Sequence, residues 1–425
     1  MKPQRRNISP GHTLFLFLLL ALPATAETLP GASVESLLKL AREVNPELAA
    51  MRHEAQAAAE RISSAGALPD PMLRTELMDI TRQGAASSVN LLPGTVGSTK
   101  YTLIQTVPFW GKRDLRREIA EAEALQARGR ANASWEDLAA RIKTSYAQYY
   151  VFSRAEILTR ELLSLTGQLE KISQARYASG LAPQQDVIRA QLEQTSIQSD
   201  LVELENAVHH SKVKLNALLN RPATAPLAAP FTLRKLPAAD KLDQNALQDN
   251  LRARNPLLSA EAARVNAATK SRELVYRNRY PDFNLGVSPL QSGNQVKEWG
   301  LMVEFNLPLQ QESRRAQERE SQSMLAAAES RREATQNQLL AGLAENISEL
   351  NAAQRTEILA HNSQLPQAEL SFKAALAGYE NGKVDFSTLL DAQRQIRKAK
   401  LDVLKAQGEA QKRLADIERL LGEDL

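Results

Sequence analysis

The chain contains no cysteine. That absence excludes disulfides, thiolate metal sites and a lipid carried on an N-terminal cysteine. Aromatic residues make up only 5% of 425 residues, and glycine (18) and proline (19) are sparse. Two or three ordinary domains would fit the length, but this balance suits long helices better than a bulky globular core. An excess of one charge is also missing, since 53 basic residues face 49 acidic ones. Without a strong positive field there is no electrostatic case for nucleic-acid binding. No His-Glu-x-x-His, phosphate-cradling glycine loop or Gly-x-Ser-x-Gly occurs, so the sequence offers no enzyme and calls for no cofactor. Beyond the leader, histidine is limited to His53, His209, His210 and His361. Met51 with His53, or His209 with His210, sit at helical spacings that point apart, so no metal site is expected.

Long apolar runs are lacking as well. The one run, Leu14 to Leu22, is about half of what a membrane-spanning helix needs. It lies between basic Lys2, Arg5 and Arg6 and the small-residue site Ala24-Thr25-Ala26, so residues 1–26 read as a cleaved secretory signal. Removing those three cations leaves the remainder close to neutral. A secreted chain without a spanning helix is either free beyond the inner membrane or crosses an outer membrane as β-structure.

What is present is a duplication. Tyr177-Ala178-Ser179-Gly180 returns as Tyr379-Glu380-Asn381-Gly382, 202 residues later. Ala190-Gln191 likewise answers to Ala392-Gln393, and Leu218-Leu219 to Leu420-Leu421. A fixed offset held over some forty residues marks a repeated unit. Each copy ends a long helical run at a glycine able to adopt φ > 0, and the chain then turns back as a shorter helix.

The first repeat covers 27–220. It opens with helix from Val34 to Ala67, restarted at Asn45-Pro46 and stopped at Leu68-Pro69-Asp70-Pro71. Strands follow at about 72–80 and 99–107, separated by a polar loop from Thr81 to Ser98. Pro108-Phe109-Trp110-Gly111 ends the hairpin, and long helices are expected over 112–178 and 184–220. On the first, Leu158, Leu162, Leu165, Leu169 and Ile172 step by four and three; on the second, Ile197, Leu201, Leu204, Val208, Leu215 and Leu218 do. A proline-rich linker, 221–240, joins the copies. The second repeat, 241–425, replays the order. Asn255-Pro256 echoes Asn45-Pro46, strands fall at about 283–290 and 297–307, and helices at about 311–379 and 384–421. Leu339, Leu343, Ile347 and Leu350 form the seam of the longer helix, and Pro366 is expected to kink it.

The strand at 297–307 alternates cleanly. Trp299, Leu301, Val303, Phe305 and Leu307 take one face; Gly300, Met302, Glu304 and Asn306 take the other. That pattern fits a barrel wall with lipid outside and water inside, and a sandwich strand would alternate in the same way. Too few other strands exist to build a second sheet. Four strands cannot close a barrel, and open edges are forbidden in hydrocarbon, so further copies must supply the rest. Trp299 and Tyr101 suit a membrane interface; for Trp110, packing at the barrel–helix junction is preferred.

The doubled helix–hairpin–helix repeat, the paired Tyr-x-x-Gly turns, and Gln105-Thr106-Val107-Pro108 before Gly111-Lys112-Arg113 resemble the TolC-type outer membrane efflux proteins. The segment Pro108–Arg113 is most similar to the heavy-metal (cobalt–zinc–cadmium or copper–silver) branch. The resemblance covers roughly residues 30 to 422. It implies a mainly α fold with a small β part: a homotrimer whose twelve strands form one barrel through outer membrane lipid and whose twelve long helices form a periplasmic tunnel. It further implies docking on a periplasmic adaptor (membrane fusion) protein and an inner-membrane pump of the resistance-nodulation-division type, with substrate passing unchanged.

The same resemblance implies a gate at the helical turns. Asp186 matches the family's acid after the first turn, Tyr379 its tyrosine before the second, and Asp391 an acid that rings the pore. Thr388 stands where the family often has a second acid and Val384 where it has an arginine; Lys383 is placed to substitute and Asp385 to restore a charge. Tyr177, Gly180, Leu181, Tyr379 and Gly382 form the turns implied to meet the adaptor. A threefold ring of acids is physically able to favour cations; the plainer reading is that Asp186 and Asp391 favour helix N-terminal turns. Three functions follow: an efflux duct, for metals or for drugs or exported proteins; a periplasmic adaptor, which would carry one hairpin rather than two; and a soluble coiled-coil scaffold, which has no use for the alternating strand.

Overall fold

The computed structural model describes residues 29–80, 91–93, 96–307 and 309–425. The expected leader, part of the loop between the first two strands, and Pro308 lie outside the described residues.

Each repeat begins with two short helices broken at Asn-Pro: α1 (Val34–Val44) and α2 (Pro46–Ala65) in the first, α5 (Gln244–Arg254) and α6 (Pro256–Arg277) in the second. The long helices are α3 (Lys112–Ala178) and α4 (Gln184–Leu218), then α7 (Gln311–Leu359), α8 (Leu365–Glu380) and α9 (Phe386–Leu421). At 67 residues, α3 runs about 100 Å. Among the described helices none is long and apolar enough to cross a membrane.

The duplication survives at atomic detail. Asn45 caps α2, its Oδ1 accepting from the Leu48 N–H at 3.0 Å, while its Nδ2 donates to the Leu218 carbonyl at 2.9 Å. Asn255 repeats both bonds, to the Leu258 N–H at 2.8 Å and the Leu420 carbonyl at 2.8 Å. One buried amide thus satisfies the start of one helix and the end of another. Around these caps sit two apolar clusters, one built on Leu37, Ile142, Tyr146, Leu215 and Leu219, the other on Leu251, Leu343, Leu350, Ile417 and Leu421. Between them α9 meets α3 through a buried ion cluster. Lys143 Nζ lies 2.8 Å from Glu418 Oε2 and also meets Asp424, and Arg234 of the linker reaches Glu418 at 3.0 Å.

The expected seam of α7 is buried at all four positions: Leu339, Leu343, Ile347 and Leu350. On α3 the seam is rotated from the expected one. Leu162 and Leu169 are buried, but Thr159, Thr166 and Ser173 replace Leu158, Leu165 and Ile172 as their companions. The threonines tolerate burial because their hydroxyls donate to the carbonyls four residues back, Ala155 at 2.7 Å and Leu162 at 2.8 Å. Pro366 likewise differs from expectation. A π-helical turn, Ala360–Gln364, precedes it, with the Leu365 N–H donating to the Ala360 carbonyl five residues back. The proline falls in the first turn of α8, where its missing N–H does least harm.

Four strands, β1 (Met72–Met78), β2 (Ser98–Val107), β3 (Phe283–Ser292) and β4 (Gln295–Phe305), form one antiparallel sheet in the order β1-β2-β3-β4. The repeats therefore join at its centre, β2 against β3. Register aligns Leu73, Leu103, Val287 and Leu301 in one row across the sheet, and all four are exposed. Val303 and Phe305 extend this apolar face along β4. The opposite face carries Arg74, Glu76, Lys100, Thr102, Asn284, Ser288, Glu298 and Glu304. Among the described residues no strand pairs with the outer edge of β1 or β4.

Replacing Asn255 with alanine removes a cap and strands a buried carbonyl, an expected loss of about 2 kcal/mol. Asn255→Asp keeps the acceptor but not the donor and should fall between parent and alanine variant. Thermal melting followed by helical circular dichroism, with equal midpoints for all three proteins, would contradict the dual role.

Candidate functional site

The two Tyr-x-x-Gly turns lie side by side at one end of the helices. Each is closed in the same way. Gly180 (φ 73°) and Gly382 (φ 68°) adopt the left-handed conformation, the Leu181 N–H donates to the Arg176 carbonyl and the Lys383 N–H to the Gly378 carbonyl, both at 2.8 Å. Those six-to-one bonds are what a Schellman ending requires of a residue without a Cβ penalty.

The paired tyrosines have different surroundings. Tyr177 is half exposed and Leu181 is exposed, whereas Tyr379 is buried against Phe386, ring centroids 5.2 Å apart. The Tyr379 hydroxyl donates to Asp186 Oδ2 at 3.3 Å, across from one repeat to the other. Asp186 itself is buried in the first turn of α4. Burial, with Asp186 adding to it, pushes the Tyr379 phenol up to about 12. The structure thus brings Asp186 and Tyr379 together.

The remaining expected gate residues are not drawn into this contact. Asp385 is the N-cap of α9, accepting from the Thr388 N–H at 3.0 Å, the Ser387 hydroxyl at 2.7 Å and the Thr388 hydroxyl. The Thr388 hydroxyl foremost, then Ser387 and the Thr388 amide, hold its carboxyl down at about 2. Asp385 is therefore committed to its own helix. Lys383 is exposed and serves the turn through its backbone. Asp391 is exposed too, beside Arg394 at 3.4 Å. Because α9 begins at Phe386, Asp391 lies beyond its first turn, which removes the helix-terminus explanation for this acid.

Sequence reasoning missed Arg176. Its guanidinium lies over the Tyr379 ring at 4.9 Å and donates to the Glu380 carbonyl at 2.6 Å and the Leu181 carbonyl at 3.4 Å. One side chain therefore holds both turns, with a cation–π contact worth about 0.5–2 kcal/mol. A signal was present in the repeat: the position before tyrosine is Arg176 in one copy and Gly378 in the other, where a Cβ would meet Val384 at 3.0 Å. Two further links join α4 to α9, Glu193 to Arg394 at 2.6 Å and Asp200 to Arg397 at 2.6 Å. Gln393 of α9 donates to Thr166 of α3 at 2.6 Å. Among the described residues no group of three or more His, Asp or Glu is placed to hold a metal ion, and the His209 and His210 rings stand 6.4 Å apart.

Residues 37–221 and 247–423 match the family described as outer membrane efflux protein. The chain belongs to that family. The efflux protein is 23% identical over 401 residues to the cobalt-zinc-cadmium resistance protein CzcC of Cupriavidus metallidurans (strain ATCC 43123 / DSM 2839 / NBRC 102507 / CH34), covering 92% of this chain and 90% of that one. Its fold is that of the outer-membrane channel OprN (TM-score 0.79, 17% identity, 92% of this chain and 89% of that one). It is also that of CusC (TM-score 0.78, 18% identity, 92% of each chain). The duplicated helical hairpins and single four-stranded sheet are thus those of an efflux duct of the outer membrane.

Because the Tyr379 phenol titrates higher in the folded protein than the ordinary value of 10, its contribution to stability is full below pH 10 and is lost as pH rises towards 12. Tyr146, buried and close to Glu35, is pushed to about 12 as well. In an ultraviolet phenolate titration, Tyr379→Phe and Tyr146→Phe should each remove one late-titrating tyrosine. A Tyr379→Phe protein whose loss falls in the phase near pH 10 would show that the ring is solvated.

Proposed function

We propose that three copies of this chain close a twelve-stranded barrel in the outer membrane, with the long helices continuing it as a tunnel across the periplasm. The observation that carries this is the sheet: among the described residues both edges are unpaired, and the row Leu73, Leu103, Val287 and Leu301 is exposed. Ten- and eleven-residue strands such as β2 and β4 have the length a tilted transmembrane strand needs. A soluble scaffold would gain nothing from that row. In this reading residues 1–26 are removed on secretion, no lipid is carried on cysteine, and the contacts of the duct are with itself, with outer membrane lipid, with a periplasmic adaptor and with an inner-membrane pump of the resistance-nodulation-division type.

The turns carrying Tyr177, Gly180, Leu181, Tyr379 and Gly382 are the end offered to the adaptor. Asp186 and Tyr379, clamped by Arg176, hold the two hairpins of one copy together there, and Asp391 supplies a threefold acidic ring that favours cations. Substrate passes without chemical change. The similarity to a cobalt-zinc-cadmium resistance protein supports heavy-metal cations as cargo.

The protein should require detergent for extraction and run as a trimer that heat converts to monomer on a gel. Leu301→Arg places a charge on the lipid face at a cost of about 2–4 kcal/mol per copy and should abolish the trimer in membranes. Recovery of the parent as a soluble monomer from a periplasmic extract would sink the duct. In planar bilayers Asp391→Ala should weaken cation preference and block by divalent cations; unchanged currents would take Asp391 out of the pore. Deletion of the gene should lower tolerance of zinc, cobalt or cadmium, and unchanged metal tolerance with a new drug or export defect would reassign the cargo.

A further inference from the structure

Where the sheet meets the helices, side chains cluster in a way that the transport reading does not use. Phe109 stacks on Tyr280 at 4.5 Å, and Trp110 meets Phe109 and Phe283 edge-on at 5.4 and 6.1 Å. Despite those neighbours Trp110 is 73% exposed and Tyr280 half exposed, so the expected packing role accounts for only part of Trp110. Leu307 and Leu309, on the neighbouring connection, are also exposed. Amphipathic rings beside an apolar band are the usual furniture of a membrane–water boundary.

Directly on the helix side of these rings the surface turns basic. Over the six residues at the sheet-side ends of α2, α3, α6 and α7, together with their connections to the sheet, ten Lys and Arg stand against six Asp and Glu, and setting aside the pair of buried Lys112 with Asp282 leaves nine against five. The whole chain has a surplus of only four. A cleft of about 960 Å³ opens here between the start of α3 and the end of α6, lined by Gly111, Lys270, Arg272, Tyr276, Arg277 and Tyr280 among others. Three carboxylates in its lining are already engaged: Glu118 and Glu273 by Lys270 at 2.9 and 3.7 Å, and Asp114 by Arg117 at 3.9 Å. Arg279 is held by Glu318 at 2.6 Å. By contrast, among the described residues no carboxylate lies within 4 Å of Arg272 or Arg277. Among the described residues the Arg277 guanidinium hydrogen-bonds only the Trp110 carbonyl, at 3.5 Å, and it lies beside Gly111, where a Cβ would make ordinary contact with it at 3.6 Å.

We propose that this cleft binds the phosphate of an anionic phospholipid headgroup from the periplasmic leaflet, with Arg277 and Arg272 as its ligands and Trp110 and Tyr280 seated in the interfacial layer beside it. The assignment rests on the membrane-duct reading, which puts the cleft at headgroup depth. Both arginines line the one cleft and, among the described residues, have no carboxylate within 4 Å, so a phosphodiester there meets uncommitted cations, with the Tyr280 ring in the same lining. A zwitterionic headgroup brings its own ammonium to the same place and is held less well.

The test uses the full-length protein purified in detergent, with native mass spectrometry counting retained lipid. Phosphatidylglycerol should be retained in preference to phosphatidylethanolamine, and 0.5 M salt should reduce the preference. Arg272→Gln with Arg277→Gln should weaken retention about 25-fold, about fivefold for each lost cation, while Arg277→Lys keeps most of it. Equal retention of the two lipids by the parent, or parent-like retention by the double variant, overturns the site. Competition by inorganic phosphate at matched concentration would make it a free-anion site and also overturn it. Should the double variant fail to assemble, the parent's lipid preference and Arg277→Lys still decide. A protein that needs no detergent at all fails the duct reading first, whereas a detergent-dependent trimer without lipid preference fails this one alone.

Discussion

An antiparallel sheet with two unpaired edges and one apolar face cannot stand alone in either solvent available to it. In water the row Leu73, Leu103, Val287 and Leu301 is exposed hydrocarbon; in lipid the edge N–H and C=O groups of β1 and β4 have no strand partner among the described residues. Only closure with further strands removes both penalties together. The rest of the chain follows from that constraint. Each repeat contributes just one hairpin, the hairpins meet at β2 and β3, and the helices that flank them must leave the sheet on the same side. A duplicated unit solves this economically, since two copies of one helix–hairpin–helix path place four strands in sequence order without a crossover.

Holding the two copies together is the task of the middle of the molecule. Asn45 and Asn255 each tie the start of one helix to the end of another, and Glu418 of the second repeat is buried between Lys143 of the first and Arg234 of the linker. Breaking a buried pair from one side costs about 3–5 kcal/mol, because the remaining charge has nowhere to go. The arrangement is therefore unforgiving, and it fixes α9 against α3 in the middle of the molecule, while Gln393 and Thr166 join the same two helices nearer the turns.

Much of this was legible in the sequence because its causes are local. Glycine at 180 and 382, the Asn-Pro restarts and the alternation of β4 each report a backbone requirement within a few residues. Strand ends shifted by two residues or so, since pairing decides them. What escaped reading depends on partners 200 or more residues apart: Arg176 with Glu380 and Tyr379, Glu193 with Arg394, Lys143 with Glu418. The α3 seam was misplaced for a different reason. Thr159 and Thr166 carry their own hydrogen-bond partners inside the helix, so a scale that ranks residues by apolarity passes over them. Asp385, expected to restore a charge beside the turn, also caps α9, a local role that Ser387 and Thr388 after it could have indicated.

The tip differs from the middle in kind. Its links between α4 and α9 are long side chains meeting at or near the surface: Arg394, Arg397 and Asp200 retain solvent, and only Glu193 is buried. Pairs with that much water are worth about 0–1 kcal/mol each. The exception is the buried contact of Tyr379 with Asp186 under Arg176. Above it, the π-helical turn at Ala360–Gln364 leaves α8 joined to α7 by a ladder with one shifted hydrogen bond. A segment bounded by an irregular turn at one end and fastened by a few polar contacts at the other opens at lower free energy than the apolar middle. The gradient of stability along the helices therefore points to the turns as the end that yields first, with the contact of Tyr379 and Asp186 under Arg176 among the few that fasten it.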